Sequence, residues 1–296
     1  PIYTLRPEDA RGVLAGAQGG PVSAPDVEFT ERALPVGPTG TTRIRVYRPS
    51  GADGTLPAVV YFHGGGWVLG DAGTHERLMK DLSAGANAVI VFVDYDRSPE
   101  ARYPVAIEQD YAVLEYVALN PGEFGVDANR IAIAGDSVGG NMTAAVSLMA
   151  KQRGGPELSG QLLFYPVTDA AMDSDSYSEF ENGPWLTRPA MEWFWDQYLP
   201  DVSARDGVLV SPLNATAEQL QGLPPALVIT AENDVLRDEG EAYARNLEAA
   251  GVTVTSTRYN HAIHDFVMLN ALAENPATRA AIGQATGFLR AVLASD

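Results

Sequence analysis

Gly135-Asp136-Ser137-Val138-Gly139 directly follows a strand-like run, Arg130–Ala134, and opens a helical pattern that continues to about Lys151. A serine between two such glycines, at a strand-to-helix junction, restricts the fold more than any other feature of the chain. The serine must occupy a sharp, strained turn that holds its hydroxyl above the sheet edge. Only glycines allow strand and helix to come so close around it. The pattern therefore requires a strand covered by the helix that follows it, and presents Ser137 as a nucleophile at the end of that strand.

The rest of the chain keeps the same strand–helix alternation, which indicates an α/β fold with a mostly parallel sheet flanked by helices. Strands are read at Val27–Leu34 and Thr42–Tyr47, as an antiparallel start, then at Ala58–Phe62, Ala88–Val93, Arg130–Ala134, Gln161–Tyr165, Ala226–Thr230 and Val252–Tyr259. Several are short Val/Ile/Leu/Phe runs, as expected for strands covered on both faces. Helical patterns fall at Val105–Leu119, Val138–Lys151, Glu239–Ala250 and Ala277–Leu293. Two segments break the alternation. Arg6–Gln18 reads as a short helix before a Gly-Gly-Pro break, and Thr168–Arg205 is interposed after a strand. In the second, Met191, Trp195, Tyr198 and Leu199 share one helix face, suited to core packing or to roofing a pocket.

Composition excludes several classes of function. The chain has no cysteine, which removes disulfides, thiolate metal sites and a cysteine nucleophile. Its net charge of −18 opposes nucleic acid and anionic membrane surfaces. No run of roughly 18 uncharged apolar residues exists to span a membrane. Arg6, Glu8 and Asp9 leave no apolar signal core at the N-terminus, so a cytoplasmic location is expected. No metal-ligand cluster is visible, and no cofactor is called for.

His63-Gly64-Gly65-Gly66-Trp67 follows the strand Ala58–Phe62. Attack of a serine on an ester produces a tetrahedral oxyanion, which preorganised N–H groups must stabilise. The amides of Gly64, Gly65 and Val138 are expected to serve as that oxyanion hole. No Lys-Ser or Lys-Thr follows the glycines, so a phosphate loop is disfavoured. A serine hydroxyl also needs a base. The chain order Ser, acid, His leaves His261 and His264 as bases, and Glu232 and Asp234 as acids after the strand Ala226–Thr230. Spacing favours His264 and Asp234 without settling either choice, and Asp238 reads as a helix N-cap.

Together these segments resemble the hormone-sensitive-lipase family of serine esterases, which have the α/β-hydrolase fold. The resemblance rests on His63–Gly66, Asp94-Tyr95-Asp96-Arg97-Ser98-Pro99-Glu100, Gly135–Gly140, Asp234-Val235-Leu236-Arg237-Asp238-Glu239 and His264-Asp265-Phe266, in that family's order and spacing. It implies a catalytic triad of Ser137, Asp234 and His264, with His63 supporting its loop. It also implies a cap made of residues 1–25 and 168–205 over a catalytic domain of residues 26–167 and 206–296. The chain departs from the family at Val138, Asp96 and Asp265, the last replacing a glycine.

The activity expected is hydrolysis of short-chain carboxylic esters through an acyl-enzyme on Ser137. The same triad would serve an amidase, lactonase or deacetylase, and the same fold also supports small-molecule receptors. Trp67, Asp136, Trp185 and Asp265 are the candidate substrate contacts. The partner expected is a small-molecule ester, with a homodimer left open.

Overall fold

The computed structural model describes residues 1–295. Eight strands form one sheet: β1 (Val27–Leu34), β2 (Thr42–Pro49), β3 (Leu56–Phe62), β4 (Val89–Asp94), β5 (Val126–Asp136), β6 (Gly160–Phe164), β7 (Ala226–Asn233) and β8 (Val254–Ile263). Their spatial order is β1-β2-β4-β3-β5-β6-β7-β8. β2 pairs antiparallel with both β1 and β4, and the pairs from β4 through to β8 are parallel. All eight strands read from the sequence are present.

The helices are α1 (Pro7–Ala17), α2 (Glu76–Ala86), α3 (Val105–Leu119), α4 (Pro121–Phe124), α5 (Val138–Arg153), α6 (Asp175–Glu179), α7 (Arg188–Tyr198), α8 (Ala217–Leu220), α9 (Arg237–Ala249) and α10 (Pro276–Val292). Every residue of β3 and β6 is buried, because helices cover both faces of the parallel strands. α5 is buried from Val138 through Ala150, which places the serine turn at the centre of the molecule. α1, α6 and α7 come from the two segments that broke the alternation. Among the described residues, no helix is long and apolar enough to cross a membrane.

Parallel strands place their C-terminal ends on one edge of the sheet, where α/β proteins bind ligands. Here that edge carries His63 after β3, Ser137 after β5, Asp234 at the end of β7 and His264 after β8.

Candidate active site

Ser137 has φ 58° and ψ −118°, the strained elbow expected from its flanking glycines. A Cβ at Gly139 would run into the Phe62 carbonyl of β3, so glycine there is a steric requirement. The turn leaves Ser137 at the start of α5, and His264 reaches it from the loop after β8. His264 Nε2 lies 2.9 Å from Ser137 Oγ, and Nδ1 lies 2.7 Å from Asp234 Oδ2. A carboxylate at Nδ1 accepts from it, so in the neutral imidazole, the form that acts as base, Nδ1 carries the proton and Nε2 is left to accept from the serine hydroxyl. The other Asp234 oxygen accepts the Leu236 amide at 3.0 Å, which fixes the carboxylate. All three side chains are buried.

The alternatives that spacing left open lie elsewhere. The His261 side chain is 96% exposed, and Glu232 accepts the His261 amide. Asp238 is not an N-cap: it lies one residue inside α9, and its Oδ2 accepts the Ser176 amide at the start of α6. It thus ties α6 to α9.

The glycine loop differs from the expectation by one residue. The Gly64 amide donates to Asp136 Oδ1 at 3.0 Å, so it is not free to serve as an oxyanion donor. Gly65 and Gly66 line the cavity beside Ser137 instead, and their amides have no protein partner among the described residues. A side chain at Gly66, whose φ is 63°, would strike the Phe194 ring of α7. The Val138 amide opens α5, where first-turn N–H groups have no helical acceptor. That leaves Gly65, Gly66 and Val138 as the candidate oxyanion donors beside Ser137. His63 stacks on Tyr95 with ring centroids 4.1 Å apart, and burial lowers its pKa to about 3, so it is neutral and structural.

The cavity above Ser137 has a volume of about 280 Å³. Its walls come from the N-terminal segment (Ile2, Tyr3, Leu14) and from α7 (Ala190, Met191, Phe194). The aromatic face of α7 divides into two parts. Trp195 and Tyr198 are wholly buried, while Met191 faces the cavity.

Two of the four candidate substrate contacts are not in the cavity. Trp67 is fully buried and stacks on Tyr198 at 4.1 Å, which makes it a support under α7. Asp136 is fully buried beneath the glycine loop. Trp185 and Asp265 do line the cavity, and the Trp185 indole N–H donates to Asp265 Oδ2 at 2.8 Å. Asp265 Oδ1 lies 3.4 Å from His264 Nε2. Burial opposes the charged form of His264, but the negative charges of Asp234 and Asp265 outweigh it and push the pKa up to about 9. Asp265 has φ 65°, a conformation in which glycine is unstrained.

Comparison with known proteins identifies the family. The model of a family described by the α/β-hydrolase fold matches residues 59–268. Carboxylesterase NlhH of Mycobacterium tuberculosis is 40% identical over 292 residues, covering 97% of this chain and 89% of that protein. A thermostable esterase from Pseudomonas putida superposes with a TM-score of 0.96 at 52% identity, covering all of this chain (100%) and 93% of the other. An ester hydrolase from the Lake Arreo metagenome, solved with a bipyridine phosphonate derivative, gives a TM-score of 0.93 at 34% identity, over 100% of this chain and 93% of its own. This chain belongs to the α/β-hydrolase family, in its hormone-sensitive-lipase branch of serine esterases.

Proposed function

We propose that the protein is a serine carboxylesterase for short-chain acyl esters, with Ser137 as nucleophile, His264 as general base and Asp234 as the residue that orients it. The observation carrying this reading is the continuous Ser137–His264–Asp234 hydrogen-bond chain, 2.9 Å and 2.7 Å, at the floor of an apolar cavity. Ser137 attacks the ester carbonyl while His264 takes its proton. The Gly65, Gly66 and Val138 amides hold the oxyanion, and Asp234 stabilises the imidazolium. His264 then protonates the departing alcohol, and water repeats the sequence on the acyl-enzyme.

The cap in this reading is the N-terminal segment together with the 168–205 insertion, whose side chains form the walls of a small cavity. That size suits acyl chains from acetate to about hexanoate. Asp265 places a carboxylate beside the reacting atoms, so it disfavours carboxylate-bearing substrates by Coulomb repulsion of about 1–4 kcal/mol at contact distance. Rates across p-nitrophenyl esters of increasing acyl length test the proposal. Rates should fall beyond hexanoate and vanish in Ser137→Ala. Faster hydrolysis of emulsified triglyceride, or an active Ser137→Ala, would refute it.

A further inference from the structure

The residue before the nucleophile is the most heavily bonded carboxylate near the site, yet no step of the reaction uses it. Asp136 is wholly buried. Its Oδ1 accepts the Tyr61 hydroxyl at 2.8 Å and the Gly64 amide at 3.0 Å, while Oδ2 faces His75 Nε2 at 3.2 Å. Asp136 thus joins the nucleophile's own strand to the loop whose next two glycines line the cavity beside the nucleophile.

His75 is wholly buried, and the contacts of its second nitrogen indicate its charge. Nδ1 lies 2.9 Å from Thr74 Oγ1. That hydroxyl accepts the Asp71 amide and donates to the Asp71 carbonyl, each at 2.9 Å. With its single proton directed at the carbonyl, which has no other donor in this turn, Thr74 Oγ1 is placed to accept from Nδ1. Nε2 faces a carboxylate and must donate as well. That arrangement suits a ring with a proton on each nitrogen.

We propose that Asp136 is the positioning residue of the oxyanion loop, and that His75 holds it there as a buried imidazolium. An ionised Asp136 keeps the Gly64 N–H turned away from the cavity, which orients the Gly65 and Gly66 amides into it. The His75 charge cancels that of Asp136, which would otherwise stand as a bare negative charge beneath the developing oxyanion.

The groups around the pair are consistent with this. Tyr61 from β3 donates to it. His63, after β3, is neutral, with its ring centroid 5.4 Å from that of His75. Phe92 of β4 contributes only an uncharged ring. Asp265 from the loop after β8 adds negative charge, and the Asp71 backbone of the preceding loop also favours the charged ring. Arg77, on α2, is engaged with Asp81 and with the Val267 and Met268 carbonyls. Burial disfavours the charged imidazole, but Asp136 outweighs it and raises the His75 pKa, while the Asp136 pKa is lowered.

The kinetic part of this inference rests on the serine-esterase reading; the protonation state of His75 does not. Nitrogen-15 NMR of the full chain resolves the ring nitrogens of its four histidines, with His75→Gln identifying the resonance. At pH 7 His75 should be doubly protonated in the wild type. In Asp136→Asn it should become neutral and protonated at Nδ1 alone. Asp136→Ala should lose about 10²-fold in kcat with KM changed less than about threefold, the signature of oxyanion stabilisation. Asp136→Asn, which keeps an acceptor for Gly64, should recover at least tenfold of that loss.

A neutral His75 in the wild type overturns the proposal. So does a folded Ala variant with kcat within about threefold of wild type, or an Asn variant as impaired as Ala. If the Ala variant does not fold, the wild-type spectrum and the Asn variant still decide. Failure of the esterase reading looks different: a wild type that neither hydrolyses esters nor is labelled by an organophosphonate.

Discussion

Ser137→Ala removes the hydroxyl bonded to His264 Nε2, and should lower kcat on an activated acetate ester on the order of 10⁶-fold without unfolding the protein. His264→Ala should behave similarly. His261→Ala should stay within about twofold, because its side chain lies in solvent. Asp265 makes a separate pH prediction. The neutral form of His264 is the active base, and its pKa is raised to about 9, so kcat/KM should climb from pH 7 toward pH 9. Removing a negative neighbour lowers that pKa, so Asp265→Asn should move the rising limb to lower pH. An unmoved limb would show that Asp265 does not act on His264. Ser137 is singled out by its glycines, whereas the Gly64 amide, expected to be an oxyanion donor, is bonded to Asp136. A string of glycines does not show which amide a buried carboxylate has already engaged. Only the meeting of β3 and β5, 72 residues apart at Gly64 and Asp136, reveals that.

The strands and long helices are legible because their apolar runs and periods are clean. α2 was not among the helices read. Its interior face buries Arg77 and Asp81 as an ion pair at 3.0 Å, so charged letters stand where a core face would read apolar. α1 was legible, but its anchor was not. Arg11 donates to the carbonyls of Val68 and Ser98, two segments distant in sequence, and pairs with the exposed Glu100. Those bonds hold Leu14 against the cavity. Arg11→Ala should loosen that wall, raising KM severalfold and leaving kcat within about threefold. Loss of hydrogen bonds from a charged group, about 1.5–3 kcal/mol, should lower Tm by a few degrees. Steady-state kinetics and a thermal melt check both. Unchanged KM would make α1 a terminal appendage with no part in the site.

On the scale of the whole molecule, the parallel sheet brings groups from β3, β5, β7 and β8 to one edge, and two segments foreign to the strand–helix alternation close the space above it. The architecture was readable from chain order, but the cavity's dimensions were not, since they depend on how α7 packs over Trp67. The central claim is that this assembly activates Ser137 and no other serine. The most direct measurement is intact-mass and peptide mass spectrometry after reaction with an organophosphonate. One adduct per chain, located on Ser137 and absent from Ser137→Ala and His264→Ala, is the result predicted. No adduct on the folded wild type, or an adduct on a different residue, would contradict the account.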